Sequence, residues 1–152
     1  MKLTNFTMEG SVALRGLGQH WDLHNFVDFA GVELLPEVGG VRLSWTVLEY
    51  AEAQREGFSR DNPARKCSLE FSRVRLLRAT PVMDGGGASD ARTLHEVGLV
   101  VPVEKSPAEA IEDGVRLPAT NGEGNMLFQF MAGFDIELDA ELVTLVAEQV
   151  VA

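Results

Sequence analysis

Met126-Leu127-Phe128-Gln129-Phe130-Met131-Ala132-Gly133-Phe134-Asp135-Ile136-Glu137-Leu138 is the stretch on which the fold turns. Apolar residues occupy every second position (Met126, Phe128, Phe130, Ala132, Phe134, Ile136, Leu138), and the positions between them become polar toward Asp135 and Glu137. Successive side chains of a strand point to opposite faces, so this period of two describes a strand with one face on a core and the other partly wet. A helix through Leu127, Met131, Phe134 and Leu138 would leave Phe128 and Ile136 off its stripe. It would also hold Gly133 in its interior, at about 1 kcal/mol relative to alanine. The strand is the better reading. Strands usually run roughly 3–10 residues, so a bend or a strand switch is expected near Gly133.

The neighbouring segments read the same way. Residues 26–35 lead through Pro36-Glu37-Val38-Gly39-Gly40 into residues 41–50 as a hairpin, and Val41, Leu43, Trp45 and Val47 alternate with Arg42, Ser44 and Thr46 along the second arm. Proline and glycine supply the fixed and positive φ values of a tight reversal. Residues 67–79 form another strand, with the apolar phase Cys67, Leu69, Phe71 and then Val74, Leu76. That slip of one residue near Ser72-Arg73 is what a β-bulge produces. Residues 93–103 and 142–147 are also expected as strands, the second after a chain reversal at Asp139-Ala140-Glu141; Leu142, Leu145, Val146 and Val150 fit a helix there as well, and the β-shaped Val143, Thr144 and Val146 favour the strand. Near the N-terminus, residues 11–15 suggest a short strand ended by Gly16-Leu17-Gly18, while the rest of residues 1–25 shows no clear pattern.

Residues 51–66 are polar and interrupted by Pro63, which indicates a loop. Ser106-Pro107-Ala108-Glu109 has capping-box form and Gly114 sits where a helix would stop, so a short surface helix is expected at about 107–113. Pro118 to Asn125 is a turn-rich connection. The sum is a single all-β domain with minor α content over residues 1–152: an antiparallel β-sandwich or partly open barrel carrying one short surface helix.

Composition narrows the function classes. With 152 residues, 45% of them hydrophobic, the chain can bury a sizeable core. No apolar run reaches the ~18 residues of a membrane span, and the first six residues lack the apolar run of a signal peptide. A cytoplasmic, non-membrane protein is the expectation. Cys67 is the only cysteine and lies in phase with Leu69 and Phe71, so a buried, inert thiol is expected and an internal disulfide is excluded. The net charge of −10 repels a phosphate backbone and suits a basic protein partner. Arg73, Arg75 and Arg78 are the one local cluster of positive charge, and they read as a solvated strand face. No nucleic-acid partner is expected.

His20-Trp21-Asp22-Leu23-His24 is the densest chemical constellation. In an extended chain His20, Asp22 and His24 share one face, with Trp21 and Leu23 on the other. Two imidazoles and a carboxylate are metal-ligand chemistry, and His95 is the third histidine that could join them in space. Ligands at i, i+2 and i+4 span roughly 13 Å, though, which is too far for one ion unless the strand bends sharply. A polar strand face beside two core residues explains the same pattern. The glycines of Asp84-Gly85-Gly86-Gly87 lack the lysine and hydroxyl of a phosphate loop, and no cofactor is expected. There is no nucleophile elbow and no serine beside a histidine, and Glu33, Glu49 and Glu70 are not distinguished from surface charge. Trp21 and Tyr50 are candidate interface anchors, as aromatics of this kind often are.

Trp21-Asp22-Leu23-His24-Asn25-Phe26 followed by a hairpin, together with Leu69-Glu70-Phe71-Ser72-Arg73-Val74 and Phe134-Asp135-Ile136-Glu137-Leu138, resembles small β-rich bacterial proteins of mostly unassigned function. Some of these are grouped with the immunity proteins of polymorphic toxin systems. A His-Asp pair often follows an aromatic residue near the N-terminus in that group; this chain has His24-Asn25. The resemblance implies a non-catalytic, immunity-type binding role. A metal-binding module or metal-dependent enzyme using His20, Asp22 and His24 is the alternative. A homo-oligomer joined through an edge strand is a third reading.

Overall fold

The computed structural model describes residues 1–48, 64–80, 92–101, 119, 123–131 and 133–149. Among the described residues ten strands follow one another: β1 (Lys2–Thr4), β2 (Phe6–Glu9), β3 (Ala13–Gly16), β4 (Gln19–Asp22), β5 (Val27–Leu35), β6 (Gly40–Val47), β7 (Ala64–Ala79), β8 (Leu94–Val100), β9 (Asn125–Phe130) and β10 (Asp135–Gln149). A 3-10 turn, Pro36–Val38, joins β5 to β6. The fold is essentially all-β, a curled antiparallel half-barrel with a smaller three-stranded sheet. Among the described residues no helix is long and apolar enough to cross a membrane.

The large sheet has the order β5-β6-β7-β10-β9-β8, with β1 lying parallel to β10. Its closure follows from the aromatic residues of the inner face. Trp45 on β6 and Phe128 on β9 are three strand spacings apart, about 14 Å if the sheet were flat. Their ring centroids are 5.8 Å apart. Phe29 on β5 and Phe130 on β9, one spacing further apart, approach to 4.8 Å. Only a strongly curled sheet brings these rings together, and burying them drives the curl.

The small sheet, β2-β3-β4, lays Phe6, Leu14 and Trp21 into the same hydrophobic cluster as Trp45, Phe71 and Phe128. A Cβ on Gly16 would stand 2.1 Å from the Asn5 carbonyl oxygen and 2.9 Å from a Leu145 methyl, so the sheet seats against β10 through a position that admits no side chain. A backbone bond from Val97 N–H to Ser11 O and a side-chain bond from His24 Nδ1 to Leu94 O tie it to β8.

The structure revises several expectations. The opening stretch does break beside Gly133, but as a full reversal: β9 and β10 pair antiparallel, Gly133 takes φ +77°, and its N–H bonds to the Phe130 carbonyl. Asp139-Ala140-Glu141 does not turn the chain back. β10 runs unbroken from Asp135 to Gln149 along β7, and the register shift at Asp139/Ala140 absorbs an extra β7 residue. The irregularity signalled at Ser72-Arg73 is this bulge, with Arg73 at φ 52° beside it. Residues 64–66, read as the end of a loop, are the start of β7. The short strand expected at 11–15 lies at Ala13–Gly16, and three further strands, β1, β2 and β4, occupy the segment that had no pattern. The helix expected at 107–113 and the glycine-rich loop at 84–90 lie outside the described residues.

Candidate functional site

The histidine constellation comes first. β4 alternates as the sequence requires: Gln19 and Trp21 are buried, His20 and Asp22 half-buried, and Leu23 beyond the strand end is buried again. The polar face does not assemble into one site. His20 Nδ1 is 2.6 Å from Glu9 Oε2 on β2. The other Glu9 oxygen accepts from Arg15 Nη2 at 3.1 Å. The Arg15 bond, and after it the His20 bond, hold the Glu9 carboxyl below its ordinary range.

Asp22 ends β4 by folding its carboxylate onto the next turn. Its Oδ1 accepts from the His24 and Asn25 backbone N–H groups, both at 2.9 Å, and its Oδ2 accepts from Asn25 Nδ2 at 2.8 Å. His24 turns away to donate from Nδ1 to the Leu94 carbonyl at 2.5 Å, and His95 is exposed. His20, Asp22 and His24 thus do three separate structural jobs. Among the described residues no group of three His, Cys, Asp or Glu is placed to hold a metal ion. Trp21, a candidate anchor, is 1% exposed and donates its indole N–H to the Gly16 carbonyl, so it packs the core and presents no surface. Tyr50 and Glu49 lie outside the described residues. Cys67 is buried, as its phase indicates.

The convex face of the large sheet is a lattice of cross-strand ion pairs. Glu33, Arg42 and Glu70 stand in one row across β5, β6 and β7, with Arg42 bonded to both acids, at 2.8 Å to Glu33 and 2.7 Å to Glu70. Arg75 meets Asp139 at 2.9 Å, Arg73 meets Glu141 at 2.8 Å, and Arg78 lies 3.7 Å from the buried Glu137. The three arginines are the solvated face the sequence suggested, and β10 supplies an acid to each.

The region that sequence reading passed over is the outer edge of the sheet. β5 is its terminal strand, and its alternation slips at Ala30, where a bulge lets Gly31 adopt φ +146°. Beyond the bulge Val32 and Leu34 fall opposite Leu43 and Val41, which face the core. Yet Val32 is 44% and Leu34 67% exposed, with Val38 of the following turn at 52%. Asp28 and Glu33 stand on the opposite, convex side, in register with Thr46 and Arg42. Over residues 27–38 there are three carboxylates (Asp28, Glu33, Glu37) and no Lys or Arg. The signal was present in the sequence: Val27 and Phe29 are followed by Val32 and Leu34, a slip of one like that of β7. Compared with protein-family models, curated proteins and solved structures, the chain finds no match in any of the three.

Proposed function

We propose that this chain is a non-catalytic protein-binding domain that engages a basic partner through its acidic surface, with neutralisation of a basic toxin, an immunity-type role, as its most concrete form. The observation that carries this is how the charges are spent. Arg15, Arg42, Lys66, Arg73, Arg75 and Arg78 each pair with a carboxylate of the same chain. Asp28, Glu37 and Glu96 carry no ion pair among the described residues. Glu37 and Glu96 are exposed and Asp28 is half-buried, so among the described residues uncompensated acid reaches the surface, in keeping with the net charge of −10. A surface of that sign steers a cationic partner and raises the encounter rate, an effect that weakens steeply with salt. The internal pairing of the arginine cluster also argues against a phosphate-binding role. The separate employment of His20, Asp22 and His24 supports binding over chemistry.

Capture from native cells at low and high salt, with mass spectrometry of what is retained, tests the reading. The expected outcome is a basic protein whose association rate falls at least tenfold as screening rises. A captured set without a basic member, or one whose retention is indifferent to salt, would refute it.

A further inference from the structure

We infer that the open edge of β5 is the docking site, and that its occupant is an extended segment of the partner in which apolar and basic residues alternate. This rests on the acidic-surface reading above and goes beyond it in naming place and form. Among the described residues β5 hydrogen-bonds as a strand only to β6, so its other side offers unpaired backbone donors and acceptors. Such an edge templates a further strand. The bulge at Ala30 confines regular pairing to Gly31–Leu35, a short ladder of the size peptide recognition uses.

The side chains along that ladder state what the added strand must look like. On the concave side it would lie against exposed Val32 and Leu34, which ask for apolar side chains. On the convex side it would lie against Glu33, which shares the single Arg42 with Glu70 and so leaves that row net negative, and Asp28 and Glu37 flank the ladder; these acids ask for Lys or Arg. Neighbouring positions of one strand point to opposite faces, so an alternating apolar-basic segment satisfies both at once.

A second copy of this chain fits less well. An antiparallel two-fold pairing about Val32 sets Gly31 opposite Glu33 of the other copy without conflict, but brings Asp28 of each chain toward Pro36-Glu37 of the other. Like charges then meet at both ends of the ladder.

The test uses the full chain and a blocked peptide of alternating valine and lysine, about eight residues long. Amide chemical shifts locate binding, and titration gives its strength. The expected result is shifts concentrated in residues 27–38, with affinity falling as salt rises. The double substitution Val32→Lys, Leu34→Lys should weaken binding roughly tenfold or more while leaving the fold intact, since both side chains are exposed. A peptide N-methylated at alternate residues keeps its charges and loses edge hydrogen bonds, and should bind far more weakly. If the methylated peptide binds equally well, or shifts spread over the molecule, strand addition is wrong while the acidic-surface reading stands. If neither peptide binds and captured basic partners map elsewhere, the β5 site alone fails. Sedimentation showing the 16.6 kDa chain doubling through β5, abolished by the same substitutions, would assign the edge to a second copy and overturn the proposal.

Discussion

The two edges of the large sheet are treated differently. β8 is closed over: Val97 donates to the Ser11 carbonyl, Leu99 accepts from Ala119, and the small sheet buries Trp21 and Leu23 in the shared core. Among the described residues β5 has no such cover, and it exposes apolar side chains on one face and carboxylates on the other. A protein that needed only to fold would gain by blunting both edges, because an open apolar edge invites association. Under the binding role proposed above, this contrast between a sealed edge and an open one singles out β5 more specifically than net charge does.

The largest difference between the two sides should appear on truncation. Trp21→Ala removes a fully buried ring and the indole bond to Gly16, and is expected to cost about 3–5 kcal/mol in urea unfolding. Leu34→Ala on the open edge should stay within about 0.5 kcal/mol. Similar losses at the two positions would mean that β5 is covered in solution.

A second test sharpens the covered side in the opposite direction. Gln19 is 3% exposed, and neither its amide nitrogen nor its oxygen has a hydrogen-bond partner among the described residues. Leaving such a group unmade is costly, so Gln19→Leu should stabilise the protein by about 1 kcal/mol. A destabilised variant would show that the amide is satisfied in solution.

Ion pairs should matter least. Arg75→Ala breaks an exposed pair with Asp139 and is expected to cost at most about 1 kcal/mol, less in high salt.

The smallest effects are pH-dependent and opposite in sign. Glu9 is held below its ordinary range, so its ionised form stabilises the fold above the unfolded value, and that contribution is lost as pH falls through the folded one. Burial pushes Asp135 up instead, so its contribution is complete below the unfolded value and is lost as pH rises through the folded one. Glu9→Gln should therefore lower the urea midpoint at neutral pH, and Asp135→Asn should raise it. Both differences should fade as pH falls below about 4, where carboxylates protonate. Persistence of either at low pH would point to a packing effect of the substitution.

What the sequence made legible follows from what a period of two can encode. Where one face is buried, as at Val41-Leu43-Trp45-Val47 or Cys67-Leu69-Phe71, alternation marked the strand and its inner face correctly. It could not report pairing. The parallel partnership of Lys2–Thr4 with β10, and the continuation of β10 through Asp139-Ala140-Glu141, depend on contacts far away in the chain. The strands within residues 1–22 are only three or four residues each, too short for alternation to stand out. His20 and Asp22 share the polar face of β4, but His24 lies in the turn beyond the strand end, and only the fold shows that Glu9 and Leu94 claim the imidazoles separately. The β5 edge was written in the slip at Ala30-Gly31, yet an edge strand and an interior strand share the same pattern, and only sheet order tells them apart.

Hydrogen–deuterium exchange, measured with and without the valine–lysine peptide, reads both edges in one experiment. The account predicts fast exchange in the outward amides of residues 31–35 and slow exchange at Val97, with protection gained on binding at β5 and not at β8. Slow exchange along β5 in the free protein, or protection that appears at residues 94–100 instead, would contradict it.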